Sequence, residues 1–215
     1  MKLSPDVSLN LIITGVLWTL VYVLIIRRGF LDRTFGMPVV ALCSNISWEF
    51  TFSFIQPHPI PQLYINVIWF GFDAIILWQT IQFGPPAFAR FPLFARYFYV
   101  ALLLGLILNL GATLAITQEF KDAPGRYAAF AGNLMMSVLF VFMLLERNSV
   151  SGQSMYIAIF KMLGSLSASL LFFQHYSSSI LLNFLYVTIS IFDCIYVVLL
   201  YLKHRENAIN PWKRL

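Results

Sequence analysis

Charge is what this sequence has least of. Only 11% of its 215 residues are Asp, Glu, Lys or Arg, whereas a soluble domain carries about a quarter. With 60% hydrophobic residues and a mean hydropathy of +0.79, the chain cannot cover a water-facing surface of ordinary polarity. A soluble enzyme and a disordered tail are both excluded. The two cysteines, Cys43 and Cys194, lie inside apolar runs and read as small packing residues, not as a disulfide. No His/Cys cluster has metal-ligand spacing, no Asp-Asp-x-x-Asp could hold a diphosphate through Mg²⁺, and no glycine-rich phosphate loop is present. His58 and His175 fall in loops and read as ordinary polar residues. No metal or cofactor is called for, and the pI of 9.3 speaks to membrane topology and not to nucleic acid.

What is there is apolar sequence in blocks. A helix spanning the hydrocarbon core needs about 20 mainly apolar residues. Seven candidates satisfy this: Leu9 to Ile26, Pro38 to Ile55, Leu63 to Phe83, Tyr97 to Thr117, Tyr127 to Leu145, Ser154 to Phe173 and Ile180 to Leu202. The fold class is therefore all-α, a single polytopic seven-helix domain. The longest loop, Gly84 to Arg96, has 13 residues and leaves no room for a soluble module. The first run lacks a small-residue cleavage site and is read as a retained helix, not a removed signal. No lysine falls within the seventh, which argues against a retinal Schiff base.

Lys and Arg set the orientation. Arg27, Arg28, Arg33, Arg90, Arg96, Arg147, Lys203, Arg205, Lys213 and Arg214 fall on one side, against Lys2, Lys121 and Arg126 on the other. The C-terminus is thus expected in the cytosol and the N-terminus outside or in a lumen. A parallel three-plus-one-plus-three repeat is also expected. Phe72-Asp73-Ala74-Ile75 recurs as Phe192-Asp193-Cys194-Ile195, and Gly15 and Gly36 have counterparts at Gly132 and Gly152.

Four ionisable residues fall inside spans: Glu49, Asp73, Lys161 and Asp193. A charge at mid-bilayer costs about 2.5–3.5 kcal/mol on insertion scales, so such residues face the bundle interior and are functional candidates. Counting about 1.5 Å per residue from the basic end puts them all roughly 10–16 Å deep, with Asn109 and Asn133 at about 18 Å. Asn45 lies one turn from Glu49 on the same face. Lys161 could neutralise one acid in a structural ion pair, with the amides joining helices. Three acids against one base leave at least one carboxyl without a cation, and the cost of an unpaired buried charge holds that group as a neutral acid able to give a proton. Trp48, Trp69 and Tyr196 stand beside these acids in sequence. Their ring faces attract a cation by about 0.5–2 kcal/mol each without attacking it.

Asp32-Arg33-Thr34-Phe35-Gly36-Met37-Pro38, followed by Cys43-Ser44-Asn45-Ile46-Ser47-Trp48-Glu49, resembles the small seven-helix terpene cyclases of fungal meroterpenoid and indole-diterpene biosynthesis, the pyripyropene and paxilline type. Arg147-Asn148-Ser149 with Gly152 and Ser154, and Asp193 with Tyr196, are similar to further blocks of that family. The resemblance implies a metal-independent membrane cyclase. Glu49 and Asp193 would form a catalytic acid pair that protonates a terminal epoxide or alkene. Its substrate would be a farnesyl or geranylgeranyl chain on a head group. Asn45, Trp48, Trp69, Asp73, Asn133 and Tyr196 are the candidates for holding substrate or the cation. Asp73 departs from the family pattern, and its role is open between tuning the acid pair and contacting the head group. A fungal protein would reside in the endoplasmic reticulum and a bacterial homologue in the plasma membrane. The competing class is a small seven-helix solute carrier, for which buried acids would serve proton coupling.

Overall fold

In a computed structural model the described residues are 5–215, with side chains from Asn10 onward; Lys2 lies outside them. Without water to bond the backbone, a long apolar run must satisfy its amides internally, and the chain is helical almost throughout. The helices are α1 (Pro5–Asp32), α2 (Val39–Phe50), α3 (Gln62–Ala87), α4 (Pro92–Arg96), α5 (Phe98–Glu119), α6 (Arg126–Arg147), α7 (Met155–Tyr176) and α8 (Ile180–Glu206). Six of them are long and apolar enough to cross a membrane.

The seven spans expected from the sequence need correcting at two places. The second is short, because the α-helix stops at Phe50 and continues as a π-helical turn over Thr51–Ile55. The presumed loop from Gly84 is largely helical: α3 carries Pro85 and Pro86 in its last turn, and α4 follows with Pro92 at its first position. Proline is tolerated at a helix start because its missing N–H would be unpaired there anyway.

Packing joins α1 to α3, α3 to α2, α2 to α6, α6 to α8, α8 to α7 and α7 back to α1, a ring of six helices with α5 outside it against α2. The first and second helices of each triplet (α1–α3 and α6–α8) rest on the third, and the first helix of each rests on the second of the other. The α1–α7 seam is close because Gly164 lies under Trp18, where an added Cβ would come within 3.1 Å of the indole.

One end of the ring is tied by a clasp. Asp32 accepts from Arg28, from Arg214 of the C-terminal tail and from the Gly152 backbone N–H, the last at 2.7 Å. Arg147 donates to the Phe35 and Ser151 carbonyls, both at 3.0 Å, and lies 4.4 Å over the Phe35 ring. Arg214 also bonds the Val150 and Gln153 carbonyls. Gly152 has φ +73°, and a Cβ on it would meet the Phe35 carbonyl at 2.9 Å; one on Gly36 would meet the Gly152 carbonyl at 2.9 Å. The two loops touch through their glycines. Gly152→Ala combines a left-handed backbone with a backbone clash, and we expect it to lose about 2–4 kcal/mol, read as a fall in melting temperature of the detergent-solubilised protein. Gly71→Ala, where an added Cβ meets nothing, is the control.

Candidate active site

At the end opposite the clasp the ring encloses a cavity of about 380 Å³, within the usual range for small-molecule sites of about 300–1,000 Å³. Its wall comes from α1 (Leu11 to Tyr22), α2 (Ser44 to Glu49), the loop at His58 and Pro59, α3 (Gln62 to Trp69), Pro124, α6 (Arg126 to Met136) and α7 (Ala168 to Phe172). Neither α5 nor α8 contributes. The lining is apolar and aromatic, with few polar groups.

Those polar groups converge. Asn45 and Glu49, one helical turn apart on α2, face the cavity together. The Asn45 amide donates to the Tyr22 hydroxyl of α1 and, at 2.9 Å, to Asp73 Oδ2 of α3. Glu49 is 2% exposed and Asp73 fully buried, and Glu49 Oε2 and Asp73 Oδ1 have no hydrogen-bond partner among the described residues. Rings surround this cluster. Tyr22 lies 6.0 Å from Trp69 and 5.7 Å from Phe72, and Trp69 is fixed by donating its indole N–H to Thr19 at 3.1 Å. Trp48 donates to the Gly125 carbonyl at 2.8 Å and packs on Phe52 at 4.8 Å.

The π-helical turn follows Glu49 almost directly. Such a turn leaves backbone groups in want of partners, and fully buried Asn66 meets one of them by donating to the Phe52 carbonyl at 3.2 Å. The same amide faces His58 Nδ1 at 3.0 Å, and Gln62 donates to Asn66 Oδ1 at 2.8 Å. Burial holds the His58 imidazole below its ordinary range. In the loop after α5, burial pushes the Asp122 carboxyl up, opposed by the Tyr127 N–H and the Arg126 guanidinium.

Of the site residues expected from the sequence, Glu49, Asn45, Trp48, Trp69 and Asn133 reach the cavity wall. Asp73 stands one bond behind it, through Asn45. Asp193 and Tyr196 do not line it. Asp193 Oδ1 accepts from Lys161 at 2.6 Å in a pair whose side chains are 2% and 0% exposed, while Lys161 also donates to Ser137 at 2.6 Å. Tyr196 donates to Gln153 at 2.9 Å and packs on Phe140. A Glu49–Asp193 hydrogen bond is therefore absent among the described residues. Helix α6 stands between α2 and α8, and Lys161 takes the acid on its own side. Asn109 donates to Gly105 of its own helix and does not line the cavity. Tyr22, Trp18, Gln62, His58 and Arg126 were not singled out as site residues. The only sequence signal was the four-residue spacing of Trp18 and Tyr22.

A polytopic helical bundle that keeps one carboxyl in the wall of an internal, mostly apolar and ring-lined cavity, with a second just behind it, is suited to transforming a greasy substrate inside the membrane. Residues 4–206 match the Pyr4-like transmembrane terpene cyclases, and the chain belongs to that family. It is an integral membrane protein and a terpene cyclase by family. The Pyr4-family terpene cyclase mfmH of Annulohypoxylon moriforme is 32% identical over 77% of this chain and 69% of its own length. The terpene cyclase macJ of Penicillium terrestre is 30% identical over 75% of this chain and 64% of its own. The terpene cyclase olcD of Penicillium canescens is 26% identical over 97% and 90%. No solved structure matches the chain. The carrier reading is set aside by the family.

Breaking a buried ion pair on one side leaves an uncompensated charge and costs about 3–5 kcal/mol. We expect Lys161→Met or Asp193→Asn to lose that much and the paired Lys161→Met/Asp193→Leu to recover most of it, measured as thermal unfolding in detergent. Single variants as stable as the parent would show that the pair is not what holds α7 to α8 here.

Proposed function

We propose that this chain cyclises a polyprenyl conjugate by protonating the far end of its chain, with Glu49 as the proton donor. The observation that carries this reading is that Glu49 alone among the buried acids presents its carboxyl at the cavity wall while having no cation beside it. In the reaction the Glu49 O–H bond breaks and a new O–H bond forms on the epoxide oxygen. The C–O bond to the more substituted carbon then opens to a tertiary cation. Where the substrate ends in an alkene, the proton goes to carbon instead. Neighbouring double bonds attack in turn, and loss of a proton from the last cation returns the balance, so that product and substrate have equal mass.

The surrounding groups have distinct tasks. Asp73, bonded through Asn45 and adjoining Tyr22, forms with Glu49 a two-carboxyl cluster. Among the described residues no cation stands beside either group, and the cost of an unpaired buried charge keeps Glu49 in the protonated form from which it donates. Trp48, Trp69 and Tyr22 offer ring faces to the migrating cation, and the closed ring of helices keeps water from it. Asn133 holds the wall by donating to Ser165. Asp193 neutralises Lys161 behind that wall and acts on the substrate only through position; Tyr196 supports Gln153 in the same way. No metal enters this scheme. The arginine-rich end, with the clasp, is assigned to the cytosol by the ten-to-three distribution of Lys and Arg, which puts the cavity in the outer or lumenal half. In a fungal cell that membrane is the endoplasmic reticulum.

The test is turnover by membranes incubated with epoxidised and plain farnesyl and geranylgeranyl conjugates, followed by separation of mass-neutral products. Glu49→Gln keeps the shape and removes the acid, so we expect a rate loss of about 10²–10⁴-fold, the usual worth of general acid catalysis, with EDTA without effect. The Lys161→Met/Asp193→Leu pair should retain measurable cyclisation. Full activity in Glu49→Gln would end the proton-donor assignment, and a folded but inactive Lys161→Met/Asp193→Leu enzyme would give Asp193 a direct part.

A further inference from the structure

The open end of the cavity carries a feature that proton transfer does not use. Arg126, the first residue of α6, lines the cavity with its side chain 18% exposed. It is held on three sides. Its Nε lies 3.0 Å from Asp122 Oδ1, its guanidinium carbon lies 3.9 Å over the Tyr176 ring, and the preceding carbonyl, that of Gly125, accepts the Trp48 bond. Gly125 itself has no room to move, since an added Cβ would fall 2.1 Å from the Phe52 ring. Nothing among the described residues accepts a hydrogen bond from its two terminal nitrogens. A long flexible arginine at a water interface needs no such fixing. One that is stacked, paired on one edge and free on the other is a preorganised fork for an oxygen acceptor.

We infer that Arg126 is the head-group anchor of this cavity, and that the head group is a ring bearing a carboxylate, enolate or carbonyl oxygen, in preference to an indole. The inference rests on the cyclase reading. The α6 wall runs from Arg126 down to Met136, about 15 Å of helix, so an anchored head group leaves the prenyl chain pointing into the aromatic interior past Asn133. Gln62 and His58 also line the cavity and add polar groups to an otherwise mostly apolar wall. Indole has no acceptor for the fork and would leave the two terminal nitrogens of Arg126 without a partner in the cavity, a loss a site built around a hydrogen bond does not tolerate.

The experiment uses the full chain in phosphatidylcholine nanodiscs and reads binding separately from turnover. Quenching of the cavity tryptophans by two probes made unreactive by saturating the prenyl double bonds, a hexahydrofarnesyl dihydroxybenzoate and 3-hexahydrofarnesylindole, gives two dissociation constants. The parent protein should prefer the benzoate by about tenfold or more, the worth of one charged hydrogen bond. Asp122→Asn/Arg126→Gln, which removes both charges and keeps the Asp122 cap on Tyr127, should abolish that preference and leave indole binding within about twofold, while Arg126→Lys keeps part of it. With the epoxidised benzoate, KM should rise in parallel and kcat should stay within about threefold. Equal weakening of both probes would make Arg126 merely structural. Unchanged binding of both would mean that it pairs with a lipid phosphate instead. Either result overturns the inference. A parent protein that shows the preference yet gives no cyclised product would instead overturn the cyclase mechanism and leave the anchor standing.

Discussion

One buried cation organises the electrostatics of this bundle. In a hydrocarbon surround every polar side chain must find its partner inside the protein, and among the described residues Lys161 is the only cation in the buried layer that Glu49, Asp73 and Asp193 occupy. By closing on Asp193 and Ser137, it settles the partition of that layer. On the α6–α8 side a charge pair is complete and stands away from the cavity. On the α2–α3 side two carboxyls are left with an amide and a phenol, and Glu49 reaches the cavity wall.

The two halves of the bundle answer each other in detail. Tyr22, Asn45 and Asp73 lie on the first, second and third helices of one triplet; Ser137, Lys161 and Asp193 lie on the corresponding helices of the other. Each middle residue donates to the other two. The amide at one middle position only hydrogen-bonds its carboxyl, whereas the ammonium at the other compensates the charge of its carboxylate.

The clasp at the far end has a different task. Asp32, Phe35, Gly36, Arg147 and Gly152 are among the residues by which the family resemblance is read, yet they stand away from the cavity and join two loops and the C-terminal tail. A helix ring open at one end needs to be stiff at the other if its interior is to keep its shape. Motif density here falls in two separate places, the clasp in Asp32 to Pro38 and the cavity wall in Asn45 to Glu49.

Much was legible before any fold was seen. The scarcity of charge dictated a membrane bundle, since too little polar surface exists to face water, and continuous apolar blocks of about 20 residues point to helices because only a helix satisfies all its backbone bonds within one such run. Periodicity put Asn45 and Glu49 on one face. It could not reveal the π-helical turn after Glu49 or the helix hidden in the supposed loop from Gly84, where local bonding overrides composition. Nor could it say which of three acids Lys161 would meet, because depth along a helix is readable from sequence while rotation about its axis and the identity of its neighbour are not. Composition and spacing thus determined that buried acids would exist and at what level. Only the packing of α6 between α2 and α8 decided that Glu49 would face a cavity while Asp193 faced a lysine, since a side chain's partner in a dry interior is set by which helix stands beside it.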